Sequence, residues 1–223
     1  MTQAVFTETE HILRASPGAV ERLTPRQAAR LLLCFLLCTM AYGALMGTFG
    51  GVRGDRALMV LYGALKVPVL LIVTGLVCFP SFFVLNTLFG VREDFSHVLR
   101  ALLFTQAGFA MLLLSLAPYT LLGYASSADH TVALLVNSLV FTVASGAAQW
   151  LLRRHYRPLI ARNERHAWLL HIWLGLFAFV GIQTAWMLRP FVGAPHLAPQ
   201  FFRQEAWGNA YVELGSIFAR LFQ

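Results

Sequence analysis

Acidic side chains are missing from the five longest apolar stretches of this 223-residue chain, and charged residues of both signs make up only 12% of it. Soluble domains carry about 25%, so a water-exposed globule is excluded as the organising principle. Cysteine is also scarce. Cys34, Cys38 and Cys78 all fall inside apolar stretches, which excludes a disulfide framework and leaves them as small buried apolar residues. Cys34 and Cys38 share a helical face, yet no His or acid stands near them to complete a zinc set. Catalytic signatures are missing too. There is no paired carboxylate, no His-Glu-x-x-His and no phosphate-cradling glycine loop, and Ser115 and Ser145 lack a base within their stretches, so an enzyme is not expected. The start of the chain carries Glu8 and Glu10 where a signal peptide needs basic residues, so the first apolar stretch is expected to be retained. No internal repeat is visible, which argues against an inverted-repeat transporter.

What is present is apolar length. The stretches Gln27–Phe49, Ala57–Phe79, Val98–Gly123, Thr131–Leu152 and Ala167–Leu188 can each cross a hydrocarbon core, which takes about 20 residues of helix. Overall 58% of residues are hydrophobic and the mean hydropathy is +0.65. The reading is an all-α polytopic membrane protein of five transmembrane helices. It divides into a cytoplasmic segment 1–24, a helical domain 25–190 and an extracytoplasmic amphipathic segment 191–223. A net charge of +7 would point to nucleic acid in a soluble protein. Here eleven arginines fall on the side shared by the N-terminus and the second and fourth loops, against five on the other side. Basic residues mark the cytoplasmic face, which predicts a cytoplasmic N-terminus and an outside C-terminus.

Local signals refine this. Thr24-Pro25-Arg26-Gln27 has the spacing of a capping box with proline at the first helical position. Gly43 and Gly47 recur at four-residue spacing, the pattern that lets helix backbones approach in lipid. The second stretch stays apolar to Phe89 through Pro68 and Pro80. A kink is expected near Pro68 and a break near Pro80, with 81–89 free to lie along the interface. Asp129 is placed to cap the fourth helix, and an Arg-rich loop, Arg153–Arg165, is expected after it. From Trp207 the residues Trp207, Tyr211, Leu214, Phe218 and Leu221 share a face, which predicts a C-terminal interfacial helix.

Lys66 is the sharpest candidate, because an ionisable group inside a span costs about 2.5–3.5 kcal/mol on insertion scales. No span supplies an acid to pair with it. An intramembrane polar site of Lys66, Pro68, Gln106 and Asn137 would serve an anion or proton path. The alternative is a structural clamp in which the ammonium satisfies backbone carbonyls. Arg153, Arg154 and Arg157 form a basic patch for lipid or a partner, at about 1 kcal/mol of attraction each near an anionic leaflet. No aromatic stacking platform accompanies them, so nucleic acid is not an expected partner. His171, beside Trp168 and Trp173, is a lone histidine with no ligand partner, so neither haem nor any other cofactor is expected.

The run Trp186-Met187-Leu188-Arg189-Pro190-Phe191-Val192-Gly193-Ala194-Pro195, followed by Phe201-Phe202-Arg203 and Gly208-Asn209-Ala210-Tyr211, is the most distinctive string. With Leu65-Lys66-Val67-Pro68 and Phe79-Pro80-Ser81 it resembles a bacterial family of multi-pass membrane proteins, some of which carry an actin-binding WH2-type label. The five-span layout is similar to that of Yip1-type membrane proteins. The resemblance spans roughly Tyr42 to Leu214 and implies a bacterial inner-membrane location, without an activity to carry over. A WH2 segment needs a basic LKKT-like motif after a short helix, and these residues hold none. Trp186 and Arg189 stand at the outer end of the fifth helix as candidate contacts, where a cation also suits the helix dipole. The functional expectation is an accessory or organising subunit in contact with membrane lipids and other membrane proteins. The alternative is a small channel or carrier for an anion or proton that uses Lys66.

Overall fold

The computed structural model describes residues 23–194, 197–203 and 209–212. Six α-helices account for most of them: α1 Pro25–Met46, α2 Ala57–Leu88, α3 Phe95–Ser115, α4 Ala117–Ser126, α5 His130–Arg162 and α6 Arg165–Leu188. Short 3-10 turns at Gly54–Arg56 and Arg92–Asp94 lead into α2 and α3, and no strand occurs among the described residues. With α3 and α4 taken as one crossing, five helical segments are long and apolar enough to span a membrane. This is an all-α polytopic membrane protein.

The helix starts follow local chemistry. Thr24 N–H donates to Gln27 Oε1 at 3.0 Å and Gln27 N–H donates to Thr24 Oγ1 at 3.3 Å, the reciprocal pairing of a capping box. Asp129 Oδ1 accepts from Thr131 N–H at 2.7 Å and caps α5. At the end of α2, Val91 N–H returns to Asn86 O at 3.0 Å, across Gly90 with φ +71°. That left-handed residue is the one a Schellman stop requires, and glycine takes it without a Cβ penalty.

Three sequence expectations need correction. No break occurs at Pro80: α2 runs without interruption through Pro68 and Pro80 to Leu88. Beyond Pro80, Phe82 and Asn86 are buried, and Phe82 packs on Trp173 with ring centroids 4.5 Å apart. Proline removes one backbone bond, whereas breaking a helix in lipid would strand several groups at several kcal/mol each. The third stretch is instead the one that divides. α3 ends at Ser115 and α4 begins at Ala117 with Pro118 in its first turn, where a missing N–H is tolerated. Finally, Arg153–Arg162 is not a loop but the last turns of α5. His155, Tyr156 and Leu159 are buried there, and that packing holds the helix through Pro158.

Packing forms two large buried clusters along the bundle and a small third one of Cys34, Phe35, Cys38 and Ala110 between α1 and α3. Toward one end Leu31, Cys78, Phe82, Val98, Phe104, Leu152, Tyr156 and Trp173 form one buried cluster. Toward the other, Tyr42, Met46, Phe49, Val67, Phe109, Leu113, Ala144 and Val192 form a second. α1 packs on α2 and α3, α5 on α3, and α6 mainly on α2. The tightest approach lies between α1 and α2. A Cβ on Gly43 would stand 2.2 Å from Gly63 O, and one on Gly47 2.3 Å from Met59 O. Only glycine permits that approach, and between helices in lipid close backbone contact replaces the missing hydrophobic drive.

Candidate functional site

α6 stops at Leu188 because Pro190 cannot continue it. The Arg189–Pro190 peptide is cis, and the chain crosses the end of the bundle as a non-helical strap over 190–194. Backbone carbonyls in such a segment have no helical partners and must find donors elsewhere. Three side chains supply them. Lys66 Nζ donates to Pro190 O at 2.6 Å, and His130 Nε2 donates to Val192 O at 3.2 Å. Arg56 reaches Gly193 O at 3.3 Å and Ala194 O at 3.4 Å, and also holds Phe49 O at 2.8 Å. Because a carbonyl only accepts, the proton of His130 sits on Nε2 in this arrangement. Val192, within the strap, is itself buried.

Lys66 is the chain's one lysine, and it is 0% exposed. Besides Pro190 O, its ammonium faces the ring of Phe201, 5.0 Å from the centroid, a favourable place for a cation. Phe201 is held in turn by Tyr62, edge to face at 5.3 Å. The carbonyl of Ala64, which Pro68 leaves unbonded in its own helix, is not the partner of Lys66. A carbonyl 124 residues further along the chain is.

Two of the other candidates of the intramembrane site, Asn137 and Gln106, stand elsewhere. Asn137 belongs to a polar network that joins α1, α4 and α5. Tyr42 O–H donates to Asn137 Oδ1 at 3.2 Å, and Thr120 Oγ1 lies 3.1 Å from Tyr42 Oη. The amide of Asn137 donates to Tyr124 Oη and to Ala133 O, both at 2.7 Å. Tyr42 and Thr120 are fully buried, and hydrogen bonds of this kind join helices where water is absent. Gln106 lines a separate cavity of about 360 Å³ between α2, α3, α5 and α6, together with Thr74, Ser145, Gln149, Trp173 and Phe177. Pro68 is buried in α2, two residues beyond Lys66. The structure thus distributes the four residues over a clamp, a network and a cavity.

Arg189 places its guanidinium carbon over the ring of Trp186, 3.3 Å from the centroid. Arg153 and Arg157 are exposed on the last turns of α5, with Arg154 half-buried between them. His171 Nδ1 donates to Ala167 O at 2.7 Å within its own helix. Among the described residues no group of three His, Cys, Asp or Glu side chains could hold a metal. The helix expected from Trp207 onward lies outside the described residues except at 209–212. There Ala210 N–H donates to Gln183 Oε1 at 3.0 Å, Tyr211 stacks on Phe179 at 4.5 Å and its hydroxyl donates to Phe179 O.

Sequence reasoning gave no site role to Arg56 or His130, and it noted Phe201 only as part of the Phe201-Phe202-Arg203 string. A count of backbone groups would have pointed to the first two, since a proline-interrupted segment over a membrane bundle leaves carbonyls that need nearby donors. It also passed over the opposite end. His166 Nε2 lies 3.0 Å from Asp94 Oδ2, with Arg162 at 3.9 Å from the other carboxylate oxygen. Arg165 donates to Phe89 O at 2.9 Å. No local pattern announces a pairing of residues that far apart in sequence.

Comparison with family models, with curated proteins and with solved structures found no match to this chain. Its class therefore rests on the fold: a polytopic helical membrane protein closed at one end by a clamped strap.

Proposed function

We propose that the protein is a non-enzymatic accessory or organising subunit that works by lateral contact with other proteins in a bacterial inner membrane. The observation that carries this reading is the uneven covering of the helices. Only 28% of the most apolar window of the fourth span and 17% of the fifth are buried inside the molecule, against 39% or more in the other three. On the uncovered side of α5, Ser138, Thr142 and Gly146 are exposed at four-residue spacing. A Cβ at Gly146 would meet no atom within 4 Å. Small and hydroxylated residues on one helix face are what interhelical contacts in lipid use. The comparable glycine face of α1 is already filled by α2.

The engagement of Lys66 supports a clamp over a transport path. A residue on a path needs access to water and an exchangeable partner, whereas this ammonium is enclosed by Pro190 O and Phe201. In our reading the N-terminus is cytoplasmic, because Arg153, Arg154, Arg157, Arg162 and Arg165 then lie on the inside. Photocrosslinking residues placed at Leu139 and Val143 on α5 test the contact directly. Discrete protein adducts in native membranes are expected, and adducts to lipid alone, with a lone monomer in mild detergent, would refute the proposal. Reporter fusions at Ser127 and Asn163 test the orientation, with outside expected for the first and inside for the second.

A further inference from the structure

We propose that the cavity between α2, α3, α5 and α6 binds a neutral, lipid-soluble ligand of the quinone class: a flat ring with carbonyl acceptors and an apolar tail. The inference does not rest on the partner-contact reading. It follows from what lines the cavity and from what those side chains lack.

The cavity is a half-open cleft of about 360 Å³, within the range of about 300–1,000 Å³ typical of small-molecule sites. Its walls come from the middle of four spans, so a ligand reaches it from the bilayer. None of the lining residues is ionisable, and a charged ligand would therefore be desolvated without a counter-charge. Trp173, Phe177, Phe109 and Phe141 contribute aromatic rings to the wall, which suit a flat apolar body.

The polar side chains narrow the class. Thr74 and Thr105 are satisfied within their own helices, through Leu70 O and Ala101 O. Gln106, Ser145 and Gln149 make no hydrogen bond among the described residues, although all three line the cavity. An amide without a partner at membrane depth is costly, and a Gln amide brings two N–H donors. A saturated acyl chain would fill the volume and leave those donors unmet. Water would meet them and wet an otherwise apolar wall. A ring carbonyl accepts from the amide of Gln106 while the ring rests on the aromatic side. α5 and α6 pack mainly on α3 and α2 and little on each other, which leaves a flank between them for the tail.

The test is photolabelling of the full chain in lipid nanodiscs with an azido-quinone, and competition by decylubiquinone or decanol. Saturable labelling is expected on the α6 peptide containing Trp173–Ile182, displaced by decylubiquinone and not by decanol. Gly181→Leu should abolish it, since a Cβ there stands 3.6 Å from Thr74 and a longer side chain grows into the cavity. Gln106→Leu keeps the volume and removes the donors, so the competitor should bind about tenfold more weakly with the thermal midpoint retained. It also serves if Gly181→Leu fails to fold. Unsaturable labelling spread over lipid-facing positions such as Leu135, equal competition by decanol, or wild-type behaviour of Gln106→Leu would each overturn the proposal.

Discussion

The ammonium of Lys66 on α2 donates to the carbonyl of Pro190, 124 residues further along the chain, at 2.6 Å. This bond ties the start of the second span to the end of the last one. It also explains how a basic side chain with no acidic partner among the described residues persists inside the bundle: a carbonyl dipole and an aromatic face replace the counter-ion.

Replacing Lys66 by Met should lower stability, because Pro190 O is left buried without its donor. An unmet buried acceptor costs about 1–3 kcal/mol, read as a fall in the thermal midpoint in detergent. Vesicle flux should be the same for both proteins, and a flux lost on substitution would favour the carrier reading. Since no other lysine is present, an amine-reactive reagent should modify Lys66 slowly in the folded protein and rapidly after denaturation, as followed by peptide mass mapping.

Gly63→Ala should be severely disruptive. A Cβ at Gly63 would fall 2.2 Å from Gly43 O, and backbone cannot yield as a side-chain tip does. Overpacking of this kind costs about 1–3 kcal/mol or more. Gly146→Ala is the control. Its site is open, so helix propensity should make it neutral or stabilising by up to about 1 kcal/mol. Paired melting curves distinguish the two.

Asn137→Leu should cost more than Tyr42→Phe. The leucine removes bonds to Tyr42, Tyr124 and Ala133 at once, whereas the phenylalanine removes one hydroxyl. Individual interhelical bonds in membranes average about 0.6 kcal/mol. Equal losses in chemical unfolding would show that the network acts as a single unit.

At the opposite end, Asp94→Asn should be tolerated and Asp94→Ala should not. Asn retains an oxygen for the Nε2–H of His166, which is fully buried, and Ala retains none. The thermal midpoints should rank wild type, Asn, then Ala. A midpoint for Asn as low as that for Ala would show that the negative charge, not the acceptor, holds α3 to α6.

Span positions are legible from composition, because the preference for lipid is summed over neighbouring residues. Helix caps are legible too: Thr24 and Asp129 act on backbone groups within three residues of themselves. Proline was the misleading signal. As residue types Pro80 and Pro118 give the same local signal, yet α2 passes through the first and the third crossing divides just before the second. The difference lies in what packs around each: Phe82 and Asn86 are anchored beyond Pro80, whereas Pro118 falls where a new helix can start.

The amino-acid order alone determined that lipid is the main solvent, how many crossings there are and where several of them begin. These depend on chemistry within a turn or two of each residue. Only the tertiary structure decided that Lys66 meets Pro190, that Gly43 meets Gly63, and that Gln106 faces a cavity with no hydrogen-bond partner among the described residues. Each of those outcomes depends on which helices become neighbours. Segments distant along the chain then share one polar atom or one gap, and no local pattern of residues encodes that choice.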